Sequence, residues 1–197
     1  MSNAEVVARE SLTGNYHLDN AHTRIGFSAR HAMVTKVRGA FNEFEGKGYI
    51  DVEKPANSHF ELTIKAASID TRHPDRDNHL RSNDFLAMEE YPEITFKSTE
   101  VEQVDDSRFN VTGDLTIRGV TKPVTIEFEH TGTVVDPWGN TRLGFEGGTT
   151  INRKDWGVNW NFALEAGGVM VSEKVNLEFE VAAIKDKPEA PSEPAQA

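Results

Sequence analysis

The sequence predicts an all-β domain whose long antiparallel strands close into an elongated barrel, with one short helical segment near residues 75–90. Apolar and polar residues alternate through most of residues 14–184, which is typical of strands with one buried face. The alternation runs for more than ten positions in 108–118 and 171–184, against a usual strand length of about five or six. Long strands in small number favour a barrel over a two-sheet sandwich, and closure also removes exposed sheet edges.

Taken in order, the candidate strands are separated by turns rich in Gly, Asn, Asp and Pro, such as 136–140. Glu173 interrupts the apolar phase of the last run and predicts a bulge or a strand end. Residues 75–90 do not show the alternation typical of strands. Their pattern predicts one or two short helices, with Asp84 as N-cap and Pro92 as a stop. Ten runs of this kind of alternation predict about eight or nine strands; they lie near 16–19, 25–30, 37–50, 60–67, 93–102, 108–118, 124–129, 131–136, 141–151 and 171–184.

Composition limits the partners and the chemistry. The chain has 197 residues, 37% hydrophobic residues and a net charge of −11, which is ordinary for one soluble domain. An acidic domain repels a phosphate backbone, so no nucleic-acid partner is expected. The absence of cysteine excludes a disulfide scaffold, a thiol nucleophile and a thiolate metal site. No run approaches the ~20 apolar residues of a membrane-spanning helix, so no stable membrane insertion is expected.

The two ends differ from the predicted barrel domain at 14–184. Residues 1–13 have no apolar stretch and predict a flexible N-terminal segment, and the acidic, proline-containing tail 185–197 predicts disorder. Because residues 1–13 lack the apolar centre of a secretory leader, the expected location is cytoplasmic if Met1 is the native start. The location is periplasmic or extracellular if a leader was removed.

The apolar phase of the strands predicts a lumen. Phenylalanines recur in it, and small residues share it, namely Ala29, Gly39, Ala66, Gly113 and Gly147. A barrel of about eight strands can either fill its interior with side chains or enclose a small ligand. The small residues favour an open axis, and a fully packed core is the alternative.

Seven strings in fixed order carry a family resemblance. They are His22-Thr-Arg-Ile-Gly-Phe-Ser-Ala-Arg-His31, Val37-Arg-Gly-Ala-Phe41, Ala67-Ser-Ile-Asp-Thr71, Arg76-Asp-Asn-His-Leu-Arg-Ser-Asn-Asp-Phe85, Tyr91-Pro-Glu-Ile-Thr-Phe-Lys-Ser98, Gly113-Asp-Leu-Thr-Ile-Arg-Gly-Val-Thr-Lys-Pro-Val124 and Asn152-Arg-Lys-Asp-Trp-Gly157. Together they resemble the YceI family of bacterial lipocalin-like proteins. The resemblance implies an elongated eight-stranded antiparallel lipocalin-like barrel that binds a polyisoprenoid, an isoprenoid quinone or a prenyl phosphate. It implies a carrier rather than an enzyme, with the lipid as ligand and no other cofactor, and it leaves a homodimer open.

The predicted site follows from the inward phase and the helical segment. Arginines favour anions, so Arg76, Arg81 and Arg153 are candidates for contact with a head group. Leu80 and Phe85 are expected to face the barrel, with 76–85 lying across one mouth. The candidate ligand-binding residues are Ile25, Phe27, His31, Phe41, Phe60, Leu62, Ile64, Leu80, Phe85, Phe96, Leu115, Ile126, Phe128, Phe145 and Trp156.

Three other interpretations remain open. The first is an enzyme acting on an isoprenoid or lipid, with His31 and His79 as acid and base. The second is a packed barrel that serves as a stress-related interaction protein. The third, a hydrolytic triad of Asp77, His79 and Ser82, lacks the Gly-x-Ser-x-Gly context of a nucleophile elbow. A site of three histidines (His22, His31 and His79) has no tight metal-binding spacing, so no metal is predicted.

Overall fold

The computed structural model describes residues 8–188, and antiparallel strands make up most of them. Within this range the structure has one α-helix, α1 (Pro74–Arg81), and four short 3₁₀ helices (Arg9–Leu12, Pro55–Asn57, Ala66–Ser68 and Arg153–Trp156). The strands are β1 (Gly14–Leu18), β2 (Arg24–His31), β3 (Thr35–Phe41), β4 (Phe44–Ile50), β5 (His59–Lys65), β6 (Ile69–Asp70), β7 (Glu93–Gln103), β8 (Arg108–Ile117), β9 (Val120–Val135), β10 (Thr141–Asn152) and β11 (Val171–Lys185).

Eight strands form a closed ring. The pairing runs β1-β4-β5-β7-β8-β9-β10-β11, and the last strand pairs back with the first, Tyr16 opposite Lys185. Toward its other end β11 instead pairs with β2, which continues the path of β1 and is followed by β3 and β6. The wall is therefore closed along the sheet, as the alternation predicted.

Details of the strands follow from local sequence. The predicted runs 124–129 and 131–136 belong to one strand of 16 residues, β9. The predicted run 37–50 is divided into β3 and β4 at residues 42–43. A register shift between Val171 and Val175 confirms the irregularity predicted at Glu173, whose exposed side chain pairs with Lys154 at 2.6 Å. A bulge places the charged side chain outside while the apolar phase resumes.

The helical segment begins earlier than predicted. His73 is the N-cap of α1, and its Nδ1 accepts a hydrogen bond from the Arg76 backbone N–H at 3.2 Å. Pro74 occupies the first turn, where its missing N–H costs nothing. The prediction that Asp84 is an N-cap is wrong, because Asp84 lies in the turns after the helix and its carboxylate pairs with His79 at 2.8 Å.

The chain ends add contacts to the ring. Residues 9–12, inside the predicted flexible segment, form a 3₁₀ helix, and the Tyr16 hydroxyl donates to the Leu12 carbonyl at 2.6 Å. The last strand continues through Lys185, one residue past the predicted boundary. Residues 1–7 and 189–197, which include most of the predicted tail, lie outside the described residues. No helix between residues 8 and 188 combines the length and the apolar character needed to cross a bilayer.

Two apolar clusters lie at the two ends of the barrel. The larger includes Ile64, Ile94, Leu115 and Trp156 and lies beneath the helical segment. The smaller includes Tyr16 beside the N-terminal 3₁₀ helix. Residues of both clusters line the barrel interior.

Candidate ligand-binding site

A cavity of about 590 Å³ occupies the barrel interior and reaches from Trp156 to Tyr16. Its size falls in the ~300–1,000 Å³ range of pockets that bind small molecules. Fourteen of the fifteen residues predicted from the inward phase and helical segment line it, the exception being His31. The side chains that line the cavity are therefore those selected by the alternation, whereas their contact with a ligand stays a prediction.

His31 is exposed and lies outside the cavity lining, so the structure does not bring it into the site predicted for it. It is the last residue of β2 and pairs with Thr35 across a tight turn and with Val171 on β11. Ala29, two residues earlier, lines the cavity. Ala29 is therefore the last residue of β2 that lines the cavity, and His31 lies past it at the end of the strand.

Four phenylalanine rings lie over glycines of the neighbouring strand. At each of these glycines, a Cβ atom would come within 2.6 Å of the covering ring, and no such contact is sterically allowed. Because these glycines have no side chain, the phenylalanine rings can lie against the wall of the barrel. The axis of the barrel is left open as a result. The pairs are Phe27 over Gly39, Phe60 over Gly48, Phe96 over Gly113 and Phe128 over Gly147.

The helical segment covers one end of the cavity. Leu80, Phe85 and Leu86 line the interior there, as predicted for the first two. The Phe85 ring packs with its centroid 5.3 Å from Trp160, a residue to which the sequence assigned no role. Trp156 is 3% exposed, and its Nε1 donates to the Leu115 carbonyl at 2.9 Å, which fixes the indole under the segment.

Arg76 and Arg81 hold the helix to the barrel and lie outside the cavity lining. The Arg76 Nε donates to the Thr71 hydroxyl at 2.7 Å. The Arg81 guanidinium donates to the carbonyls of Ala67 and Ile69 at 2.8 and 3.1 Å. The structure thus places neither guanidinium at the head-group position predicted for it, because both side chains lie outside the cavity lining and fasten the helical segment instead.

Arg153 is different, because it does line the cavity and is 6% exposed. Its guanidinium donates to the carbonyls of Val158, Val171 and Ser172 at 2.6, 3.2 and 2.9 Å. Burial lowers the pKa of the Arg153 guanidinium, and Glu173 acts in the opposite direction. These bonds use three of the five N–H groups of the guanidinium.

The other end of the cavity carries polar side chains that sequence reasoning missed. Arg9, Gln103, Asp106 and His130 are among the lining residues there. Burial raises the pKa of Tyr16 at this end to about 12. Leu12, an apolar residue just before the first strand, was the available sequence signal that the N-terminal segment packs against the barrel.

The structure does not assemble the alternative catalytic or metal sites. The Ser82 hydroxyl donates to the His79 backbone carbonyl at 2.6 Å, and Asp77 accepts from the Thr71 hydroxyl at 2.6 Å. His22 pairs with Asp19 and His79 with Asp84. Among residues 8–188 no three His, Cys, Asp or Glu side chains are grouped so as to hold a metal ion.

A family model described as the YceI-like domain matches residues 16–183. The chain belongs to the YceI family. A UPF0312 protein of Photorhabdus laumondii is 40% identical over 182 residues, covering 91% of each chain. Protein YceI of Escherichia coli O157:H7 is 36% identical over 182 residues, covering 91% of this chain and 92% of its own.

Solved structures share the barrel. The Campylobacter jejuni YceI protein is 31% identical with a TM-score of 0.69, covering 86% of this chain and 97% of that one. Burkholderia cenocepacia BcnA has a TM-score of 0.74 at 24% identity, covering 84% and 98%. A domain of Saccharophagus degradans, described as polyisoprenoid binding and implicated in plant cell wall breakdown, has a TM-score of 0.64 at 15% identity, covering 87% and 98%. These neighbours establish the closed antiparallel YceI barrel as the fold of the chain.

Proposed function

We propose that this YceI-family barrel binds and carries a long apolar molecule, such as a polyisoprenoid, an isoprenoid quinone or a prenyl phosphate, without transforming it. The observation that carries the proposal is the continuous cavity of about 590 Å³ lined by apolar residues of the ring. The polyisoprenoid-binding domain that shares the fold supports the ligand class.

The cavity volume sets how much of a chain the barrel can enclose. If each carbon takes about the 30 Å³ that a water molecule takes in the liquid, the cavity accommodates about 20 of them. Burial of each CH₂ group contributes about 0.8 kcal/mol, so even part of such a chain is held tightly. A longer polyisoprenoid would be enclosed in part, with the remainder outside one mouth.

Arg153 is the group we assign to the polar end of the ligand. Arg153 lines the cavity and is buried, and charged donors bind phosphate and carbonyl oxygens strongly. His31 and His79, the pair considered for acid–base chemistry, both lie outside the lining, which supports a carrier over an enzyme.

The direct test is organic extraction of the purified protein followed by mass spectrometry, with native mass spectrometry of the same sample. We expect a bound isoprenoid or other long-chain compound at no more than one per chain. A preparation that carries no such compound, and takes up neither a prenyl alcohol nor a fluorescent polyene fatty acid, would refute the proposal.

A second measurement isolates the polar end. The Arg153→Lys variant is compared with the parent protein for binding of a prenyl phosphate and of the matching prenyl alcohol. We expect weaker binding of the phosphate with the alcohol unchanged, since only the phosphate uses the guanidinium. Equal losses for both would mean that Arg153 only supports the wall.

A further inference from the structure

The hairpin formed by β2 and β3 differs in charge from the rest of the chain. Residues 20–42 contain four basic side chains and no acidic one, although the whole chain has a net charge of −11. Three of the four, Arg30, Lys36 and Arg38, are exposed or nearly so on β2 and β3. No ion pair within residues 8–188 involves any of these three, whereas Arg24 pairs with Glu178.

The pairing register brings these cations together on the outer face. Arg30 on β2 is directly opposite Lys36 on β3, and Arg38 lies two residues after Lys36 on β3. Like charges directly opposite each other on neighbouring strands are destabilising. The arrangement therefore suits an anionic partner that the described chain does not supply.

The tip of the hairpin is apolar and strained. Ala32 and Met33 have φ values of 48° and 62°, and the Val34 N–H donates to the His31 carbonyl at 3.0 Å, which defines a tight turn. Asn-Gly is the favoured sequence for such a turn, because left-handed backbone is costly for other L-residues. Met33 is 58% exposed and Val34 74% exposed.

A neighbouring loop extends the apolar tip. The Ala32 N–H donates to the Met170 carbonyl at 2.8 Å, and the Met170 N–H donates to the Phe162 carbonyl at 2.9 Å. Phe162 is 62% exposed. In this loop, residues 157–170, Glu165 is the one acidic side chain. The apolar tip, defined as Met33, Val34 and Phe162, thus stands beside three free cations at the end of the barrel covered by α1.

We propose that this hairpin docks the barrel peripherally on a lipid bilayer that contains anionic lipids. Apolar side chains at the boundary of the acyl chains, with basic side chains at the head groups, are the two contributions that hold surface-bound segments on membranes. The opposite end of the barrel also exposes apolar side chains, namely Val104, Val134, Val135 and Trp138, but it carries several carboxylates, among them Asp105 and Asp106, which an anionic surface repels.

The charge contribution is tested by co-sedimentation with vesicles of phosphatidylcholine, with and without phosphatidylglycerol. At low salt we expect binding only to vesicles that contain phosphatidylglycerol. Lys36→Gln/Arg38→Gln should lower the partition coefficient about 25-fold, about fivefold per cation. The matched control, Lys47→Gln/Lys97→Gln, removes two exposed cations that pair with Glu61 on the barrel wall. Absence of binding to the anionic vesicles, or an equal loss in the control, overturns the proposal.

The apolar contribution is tested by Ala32→Asn/Met33→Gly, which supplies the favoured turn residues and removes the methionine. We expect unfolding at a higher urea concentration together with vesicle binding weaker by at least about tenfold. Trp138→Ser at the opposite end is the control and should bind vesicles as the parent does. Unchanged binding by the tip variant would identify a site for a soluble polyanion and overturn the assignment to a bilayer.

Two further measurements distinguish docking on a bilayer from dimerisation and from ligand carriage. Sedimentation velocity in solution shows whether the parent protein dimerises and the tip variant does not, a result that would assign the surface to a second copy and overturn docking on lipid. Uptake of a fluorescent polyene fatty acid should be the same in the parent and the tip variant, because the tip lies outside the cavity. Docking and ligand carriage can therefore fail independently.

Discussion

The substitution Gly39→Ala tests whether the barrel interior is open. A Cβ at Gly39 would lie 2.4 Å from the Phe27 Cζ, and its three nearest atoms all belong to side chains, those of Phe27 and Thr71. Carbon atoms in contact are separated by about 3.5–4.0 Å, so the Phe27 ring must move by at least ~1 Å and the Thr71 methyl group by about half of that. The space available to it is the cavity, which Phe27 lines.

The expected magnitudes distinguish an open lumen from a packed core. Overpacking in a dense core costs about 1–3 kcal/mol of folding free energy. In an open lumen the ring moves inward at lower cost and instead excludes two or three methylene groups of the ligand. At about 0.8 kcal/mol each, the loss is about 2 kcal/mol, or about a thirtyfold rise in Kd.

The assay pairs titration of a fluorescent polyene fatty acid with urea unfolding. Gly39→Ala should weaken binding with little change in unfolding, and Phe27→Ala in the same background should restore binding. Gly132→Ala is the matched control, because a Cβ there would meet no atom within 4 Å. Unchanged affinity together with a stability loss of 1–3 kcal/mol would show that the ring had nowhere to move and would refute the argument.

Three other expectations concern the wall and the ends. Trp156→Phe leaves the Leu115 carbonyl without its indole donor and should lower the unfolding free energy by about 1–3 kcal/mol in urea titrations. Leu62→Arg places a charge in the cavity lining and should abolish fatty-acid uptake or folding; a folded variant with normal uptake would contradict it. Burial acts to raise the pKa of Asp136, but hydrogen bonds from Arg142 and nearby N–H groups outweigh it and hold that pKa well below its usual range. This contribution is present above the unfolded-state pKa of about 3.9 and is lost as the pH falls, so Asp136→Asn should flatten the acid side of the stability curve; parallel curves would contradict this.

The wall and its inward face were predictable from the sequence, because a period of two fixes which side chains share a face. Phe60, Leu62 and Ile64 line the cavity for this reason alone. The same rule did not identify His31 as exposed, since periodicity does not show where along a strand the cavity ends. The length of a strand relative to the barrel depends on pairing with β11, which the sequence does not specify.

The details of the helical segment and of the chain ends could not be predicted from the sequence, because they depend on contacts between distant residues. Arg81 looked free for a ligand, yet its oxygen partners lie 12 and 14 residues earlier in the chain. His73 caps the helix through a ring nitrogen, and histidine is not among the residues that usually indicate an N-cap. Residues 9–12 form a 3₁₀ helix beside Tyr16, although their composition alone predicted flexibility.

The seam of the ring joins the two extremes of the domain. Tyr16 on β1 pairs with Lys185 on β11, so the ring cannot close until β11 has left the ribosome. Proteins dominated by such distant pairings fold on timescales of milliseconds to seconds. Before the ring closes, both unpaired strand edges and the apolar inner face are exposed to water and to neighbouring chains. The risk of aggregation is therefore greatest in the interval before closure.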